Sequence, residues 1–168
     1  MSIIVAIDAS RNRSGGAVSH IIGILSSFQP DRHGIKQVHL WSYQSLLDQV
    51  PDHQWLVKHS TTHLEGSLFS QLWWQALILK NELKMFHCDI LFATDASTLC
   101  RFSPMVVLSQ NMLSYETGVM RYFGLSLIRL RLLAILFIQN LAFRRAAGVM
   151  FLTRYAGEVI PSALGPHA

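Results

Sequence analysis

Charged residues are scarce in this chain. They make up 14% of its 168 residues, whereas hydrophobic residues make up 51%. This balance excludes an intrinsically disordered chain, which is polar and highly charged. Cysteine occurs only at positions 88 and 100, which excludes a disulfide-stabilised scaffold. The chain also lacks an uncharged run as long as a membrane-crossing helix needs, which is about 20 residues. In its most apolar segment, the longest run without a charged residue spans residues 132–143 and has 12 residues.

Several motifs of well-known enzyme classes are missing as well. The chain has no Gly-x-Gly-x-x-Gly fingerprint, no phosphate loop ending in Gly-Lys-Ser/Thr and no Gly-x-Ser-x-Gly elbow. The missing glycine fingerprint disfavours a flavin or nicotinamide enzyme. His59 and His63 have a helical spacing, but eight histidines in 168 residues produce such spacings by chance. Without a Cys-x-x-Cys or His-Glu-x-x-His motif, we expect no metal site.

The first residues and the charge distribution suggest a location and a kind of partner. The N-terminus lacks the basic lead and long apolar core of a secretory signal, so we expect a cytoplasmic protein. The net charge of +4 is uneven: residues 1–119 carry eight basic and nine acidic residues, whereas residues 120–168 carry six arginines and one glutamate. Such asymmetry is typical either of an anionic partner or of a solvated helix surface.

Short apolar runs alternate with helical patterns along the chain. The runs predict six strands, at residues 3–7, 38–41, 55–57, 90–93, 105–108 and 149–152. Helices are predicted at residues 17–27, 67–86 and about 124–145, and a short one follows Thr153. The alternation predicts an α/β fold, a doubly wound Rossmann-like parallel sheet over residues 1–160, with residues 161–168 as a tail. Such sheets bind ligands at the carboxyl ends of strands, where the strand order reverses.

The loop after the first strand contains two adjacent glycines at the start of a helix. Gly15 and Gly16 would let a phosphate approach the free backbone N–H groups, and Arg11 and Arg13 would add positive charge. The alternative interpretation is a tight turn that needs glycine for its dihedral angles.

Polar residues follow the fourth and fifth predicted strands. Asp95 is suited to orient a hydroxyl group, and Gln110 and Asn111 are suited to hydrogen bonding with a polyol. Their positions are those at which a doubly wound sheet holds its ligand. Loop capping explains the same residue types equally well.

The last long helix carries paired arginines around an apolar body. Arg129, Arg131, Arg144 and Arg145 could make the helix a surface for an anionic membrane, although a core helix with solvated ends has the same pattern. A nucleic-acid partner is not expected, because no aromatic residues interleave with a basic stripe.

Five segments, in this order, resemble the N-terminal domain of family 4 glycosyltransferases. They are residues 14–20 (SGGAVSH), 88–93 (CDILFA), 105–112 (MVVLSQNM), 129–133 (RLRLL) and 143–153 (FRRAAGVMFLT). The resemblance covers nearly the whole chain and implies one half of a GT-B fold, in which two Rossmann-like domains face each other across a cleft. The N-terminal domain of such enzymes chiefly binds the acceptor, and the C-terminal domain holds the nucleotide-sugar donor.

The resemblance also implies a reaction and roles for individual residues. The reaction is retaining transfer of a sugar from a nucleotide sugar to a glycan or lipid-linked acceptor, with no other cofactor, in the cytoplasm or peripherally at the inner membrane face. Gly15 and Gly16 match the loop that approaches the donor diphosphate, and Arg11, Arg13, Asp95, Gln110 and Asn111 fall on the acceptor side. Many members have a histidine where Gln110 stands, so no catalytic residue is assigned here.

The donor-binding signature of that family is missing. It consists of two glutamates separated by seven residues, whereas the glutamates here stand at positions 65, 82, 116 and 158. We therefore expect the chain to need a C-terminal donor-binding domain or a partner chain, and to be inactive alone. The alternative is a non-catalytic Rossmann-like module that binds a nucleotide or a protein partner.

Overall fold

The chain forms a parallel β-sheet with helices on both of its faces. The computed structural model describes residues 2–13, 15–110, 115 and 126–164, the last four by their backbone alone. The described strands are β1 (Ile3–Asp8), β2 (Ile35–Trp41), β3 (Leu56–His59), β4 (Ile90–Ala93), β5 (Met105–Ser109) and β6 (Gly148–Phe151). They lie in the order β3-β2-β1-β4-β5-β6, and every neighbouring pair is parallel. The predicted doubly wound α/β fold is confirmed.

The described helices connect these strands. They are α1 (Gly16–Ser27), α2 (Gln44–Leu47), α3 (Thr62–Glu65), α4 (Leu68–Leu77), α5 (Leu79–Met85), α6 (Leu127–Arg145) and α7 (Arg154–Leu164), with a 3-10 turn at Pro30–His33. Side chains cap two of these helices: the Ser67 Oγ accepts from the Ser70 N–H at 3.4 Å, and the Thr153 Oγ1 accepts from the Ala156 N–H at 3.1 Å. These caps satisfy N–H groups that a helix start leaves without partners.

Two helix boundaries differ from the prediction. The helix predicted over residues 67–86 is divided at Ile78 into α4 and α5. The last helix runs past Pro161 to Leu164, into the segment predicted as a tail. Proline removes one helical hydrogen bond but keeps a helical φ, so the backbone can remain helical through that position.

Apolar side chains pack on both faces of the sheet, as expected for parallel strands. On one face Ile21 and Leu25 of α1 contact a cluster with Ile7, Val38 and Leu40. On the other face, residues of α4 to α7 surround a second cluster. Its largest fully buried members include Trp41, Trp74, Leu79, Leu83, Leu91 and Met105. Because α1 lies on one face and α4 on the other, the chain crosses between faces at the β1/β4 boundary, where the strand order reverses.

Helix α4 does not bury the side that its apolar residues would predict. One apolar stripe along residues 67–86 would bury Leu68, Leu79 and Leu83 together. Leu79 and Leu83 are fully buried in α5, whereas Leu68 is 49% exposed. The buried residues of α4 are Gln71, Trp74 and Gln75. The helix therefore turns two amides towards the sheet, and the reason lies in the polar groups that they meet there.

Helix α6 is the longest described helix. Its buried residues are Leu132, Gln139, Ala142 and Phe143, and much of the remaining apolar surface is exposed. The predicted residues 124–125 of this helix lie outside the described residues. Among the helices that the structure describes, none combines the length and the apolar character that a membrane crossing requires.

Candidate functional site

The carboxyl ends of β1 and β4 meet where the strand order reverses. Asp8, the last residue of β1, is in register with Ala93, the last residue of β4. The next residue, Thr94, donates its N–H to the Asp8 carbonyl at 3.1 Å. Its hydroxyl lies 2.9 Å from the same carbonyl and 2.8 Å from the Asn12 Oδ1, and can donate to either. Polar residues from two strand ends are thus joined at the usual ligand position of this fold.

The Asp8 carboxyl group is buried yet has three donors. Its Oδ1 accepts from the Ser10 N–H at 3.1 Å and from the Ser10 hydroxyl at 2.6 Å. Its Oδ2 accepts from the Gln75 Nε2 at 2.7 Å. Burial raises the pKa of Asp8 above its ordinary value, the bonds from Ser10 and Gln75 oppose the rise, and the charge of Asp95 adds to it. A buried carboxyl with a raised pKa is typical of functional sites.

Two buried polar atoms at this site and its edge of the sheet have no partner among the described residues. One is the Oε1 of Gln75, whose Nε2 binds both Asp8 and, at 3.1 Å, the Ser10 Oγ. The other is the hydroxyl of Ser109, the last residue of β5. Buried polar groups are nearly always satisfied in folded proteins, so these atoms mark places where a ligand or water would bind.

Asn12 shapes the loop that leads to α1. Its Nδ2 donates to the Ala17 carbonyl at 3.1 Å, and its own carbonyl accepts from the Tyr43 hydroxyl at 2.6 Å. Together with the Thr94 contact, these bonds fix the loop to α1 and to the segments that follow β2 and β4. The sequence prediction missed Asn12, Ser10 and Gln75; the only signal for Asp8 was its place directly after a buried apolar run.

The predicted glycine turn is open to solvent. Gly15 precedes α1 with φ at 63°, a left-handed conformation that other residues rarely adopt. No atom lies within 4 Å of the position that a Cβ would take at Gly15 or Gly16. The first turn of α1 can therefore be approached closely by an anion, which its N–H groups and the helix dipole would favour.

The two loop arginines have different surroundings. Arg13 donates to the Leu64 carbonyl, and its guanidinium lies 4.8 Å from the centre of the Tyr43 ring. These contacts hold it against α3 and Tyr43. Arg11 is half-buried, and its guanidinium group makes no hydrogen bond or ion pair with any residue that the structure describes.

The residues predicted after β4 and β5 are partly brought together. The Gln110 Nε2 donates to the Thr94 carbonyl at 2.8 Å, so it lies beside the Asp8 network. The Asp95 Oδ1 accepts from the Ser97 N–H at 2.6 Å, which is a turn-forming contact, and its charge still acts on Asp8. Asn111 lies outside the described residues.

The predicted arginines of α6 do not belong to this site as a group. Arg131, Arg144 and Arg145 are exposed, Arg129 is half-buried, and the four lie on different sides of the helix. Arg144 and Arg145 stand in its last turn, where a positive charge stabilises the helix dipole.

A pair of histidines forms a separate polar contact beneath the ends of β2 and β3. The His39 Nδ1 and the His59 Nε2 lie 2.8 Å apart, and the two rings stack beside Trp41 and Phe86. The other nitrogen of His39 lies 3.3 Å from the Gln37 Oε1. Burial lowers the pKa of both histidines, and the charge of His39 adds to the effect on His59, whose pKa falls to about 4.

This pair predicts a loss of stability in acid. The unfolded chain protonates His59 near its ordinary value of 6.5, whereas the folded chain resists protonation down to about 4. The free energy of unfolding therefore falls as the pH drops through this window, by about 1–2 kcal/mol after solvent screening. Urea unfolding at several pH values in this window should show that His59→Gln abolishes most of the fall in the free energy of unfolding. The exposed-site control His20→Gln should keep it, and an unchanged fall in His59→Gln would contradict the assignment.

The described residues contain no group of three or more His, Cys, Asp or Glu side chains that could hold a metal ion. Both cysteines are buried and unpaired, and burial raises the pKa of Cys88 to about 11 and that of Cys100 to about 12. Such thiols are poor nucleophiles.

The fold and the site define a Rossmann-like protein with a buried cluster of hydrogen-bonded polar side chains at its switch point. Comparison of the chain with protein-family models, with curated proteins and with solved structures gives no match.

Proposed function

We propose that this chain is the acceptor-side half of a glycosyltransferase that uses a nucleotide-sugar donor. A second Rossmann-like half would hold the donor, and the cleft between the halves would adjoin the carboxyl ends of β1 and β4. The acceptor would be a glycan or a lipid-linked sugar. This proposal rests on the resemblance of five chain segments to family 4 glycosyltransferases and on the site geometry.

One observation carries most of the weight: the open glycine turn and the buried Asp8 network share one loop. Asp8 and Asn12 anchor the two ends of residues 8–12 through hydrogen bonds to Gln75, Thr94 and Tyr43. The turn at Gly15 and Gly16 begins three residues after Asn12 and is open. A loop whose first residues are fixed by hydrogen bonds, and whose glycine turn has open space around it, is suited to phosphate binding at a helix start.

Each residue of the site would have a role that follows from its position. The N–H groups of the first turn of α1 would stabilise negative charge on the leaving diphosphate, as preorganised donors do in transfer reactions. Gln110 would contact acceptor hydroxyls, and Asp95 would orient them. Asp8 would act as a positioning residue that sets the loop conformation, since the residue is only 3% exposed.

The direct test is sugar transfer, followed as nucleoside diphosphate release. A panel of nucleotide sugars would be supplied to the chain alone and to the chain with a C-terminal donor-binding half, with glycan and lipid-linked acceptors present. Release that requires both halves supports the proposal. Release by the chain alone would show that the donor site has been misplaced. No release under either condition would contradict transferase activity.

A glycine substitution tests the role of the turn. In the complemented enzyme, Gly16→Val is expected to lower nucleoside diphosphate release about 100-fold, because its side chain would cover the N–H groups that face the diphosphate. Gly23→Val is the matched control: Gly23 lies in the same helix and also has open space around it. Equal release rates from the two variants would refute the role of the turn.

The second candidate is a non-catalytic module that binds a nucleotide or another phosphate compound. The observation in its favour is the burial of Asp8, which keeps the carboxyl group away from direct contact with a substrate. Isothermal titration with nucleoside diphosphates separates the two. Binding that Gly16→Val weakens, without turnover on any donor, would favour the module.

A further inference from the structure

Two helices on one face of the sheet expose large apolar side chains. In α4, Phe69, Trp73 and Leu77 follow at intervals of four and form one stripe, in which Phe69 is 77% exposed. In α6, Leu127, Leu130 and Phe137 share a side, and Leu130 and Phe137 are both 64% exposed. Exposed apolar patches of this kind mark protein or membrane contacts.

Leu77, the last residue of the α4 stripe, borders a groove that contains two arginines. Residues of both helices, among them Leu77 of α4 and Leu141 of α6, line this cavity of about 320 Å³ together with Arg101 and Arg145. The same two arginines line an adjoining cavity of about 390 Å³ with Phe102 and Ser103. Neither guanidinium group makes a hydrogen bond or an ion pair with any described residue.

The charges of this surface have one sign. Helix α4 has no charged residue, and α6 has four arginines and no Asp or Glu. The residues that line the two cavities include no acidic side chain. Two copies of the chain docked through this face would bring their arginines together, and this repulsion disfavours a symmetric dimer.

We propose that the face formed by α4 and α6 docks on the surface of an anionic phospholipid bilayer. The apolar stripes enter the interfacial region, and Arg101 and Arg145 bind lipid phosphate groups in the groove. Apolar residues flanked by cations, without acidic residues between them, are the pattern of helices that lie on anionic membranes. This inference goes beyond the proposed transferase reaction and does not depend on it.

Vesicle sedimentation tests the proposal with the 168-residue chain. We expect partition onto phosphatidylcholine vesicles that contain about 30% phosphatidylglycerol, little partition onto phosphatidylcholine alone, and weaker partition at high salt. Arg101→Gln combined with Arg145→Gln should weaken partition about 25-fold, since each arginine contributes about fivefold near an anionic surface. Phe137→Ser should weaken it about tenfold.

The matched control removes the same charge elsewhere. Arg32→Gln combined with Lys36→Gln alters two exposed cations of the 3-10 turn and β2, and should change partition less than twofold. Thermal unfolding of each variant establishes that it is folded. Three results would each overturn the proposal: no partition onto anionic vesicles, equal losses in the two double variants, or a stable dimer that Phe137→Ser dissociates.

Discussion

Asp8→Asn is expected to stabilise the folded chain at neutral pH, by about 1–2 kcal/mol, although it changes a carboxyl group with three hydrogen-bond donors. Burial raises the pKa of Asp8, so ionisation costs free energy in the folded state. An amide at this position has no charge to bury. Its oxygen can accept from Ser10, and its NH₂ group can donate to the Gln75 Oε1, which lacks a partner, once the Gln75 amide turns over.

The pH dependence of this effect has a definite sign. Because the folded pKa of Asp8 lies above its ordinary value of 3.8, this group favours folding fully below that value and progressively less as the pH rises through the folded pKa. The difference between Asp8→Asn and the original chain should therefore be near zero in strong acid and largest at neutral pH. Urea unfolding of both proteins at several pH values measures it.

Two further variants sharpen the test. Asp8→Leu leaves the donors of Ser10 and Gln75 without an acceptor and should lower stability by about 2–3 kcal/mol. Asp95→Asn, on the same edge of the sheet, should stay within about 0.5 kcal/mol of the original chain. A lower stability of Asp8→Asn at neutral pH would show that the carboxylate is retained for folding. The expected gain in stability of Asp8→Asn would instead show that the carboxylate is kept for a function at a cost in stability.

The second large effect distinguishes two adjacent tryptophans. Trp74 is fully buried among Leu64, Leu79 and Leu83, and its Nε1 lies 3.4 Å from the Glu82 Oε1. Trp74→Ala should lower the free energy of unfolding by about 3–5 kcal/mol, because it leaves a large cavity beneath α4. Urea unfolding followed by circular dichroism measures the loss.

Trp73→Ala provides the matched comparison. Trp73 is 43% exposed and contacts His63 at a ring-centre distance of 5.2 Å, so the loss should be under about 1 kcal/mol. Similar losses in the two variants would contradict the orientation of α4. The structure thus places one tryptophan of the pair in the core and the other at the surface.

The fold was predictable because the local pattern is unambiguous. Six apolar runs separated by helical patterns specify a parallel sheet covered on both faces, since its strands have no solvated side. Four predicted strands lie within the observed ones, among them residues 90–93, which match β4. The predicted helix boundaries were wrong at Ile78 and at Pro161, where local rules compete.

Much less of the candidate site could be predicted. The loop at Gly15 and Gly16 and the position of Gln110 follow from the rule that ligands bind at strand ends. Gln75 could not be found, because it lies 67 residues from Asp8 in a helix whose apolar residues predict the opposite orientation. A hydrophobic pattern describes only the cost of exposing side chains and contains no information about a buried carboxyl group that needs a donor.

By itself, therefore, the sequence determined the α/β class, most of the strands and the edge of the sheet at which the polar strand ends meet. The tertiary structure alone decided the strand order, the burial of Asp8 and the rotation of α4. The physical reason is the range of the interactions involved. Strand formation depends on neighbouring residues, whereas satisfying Asp8 requires Gln75 to face inwards. That requirement leaves Phe69, Trp73 and Leu77 exposed on the surface proposed to contact lipid.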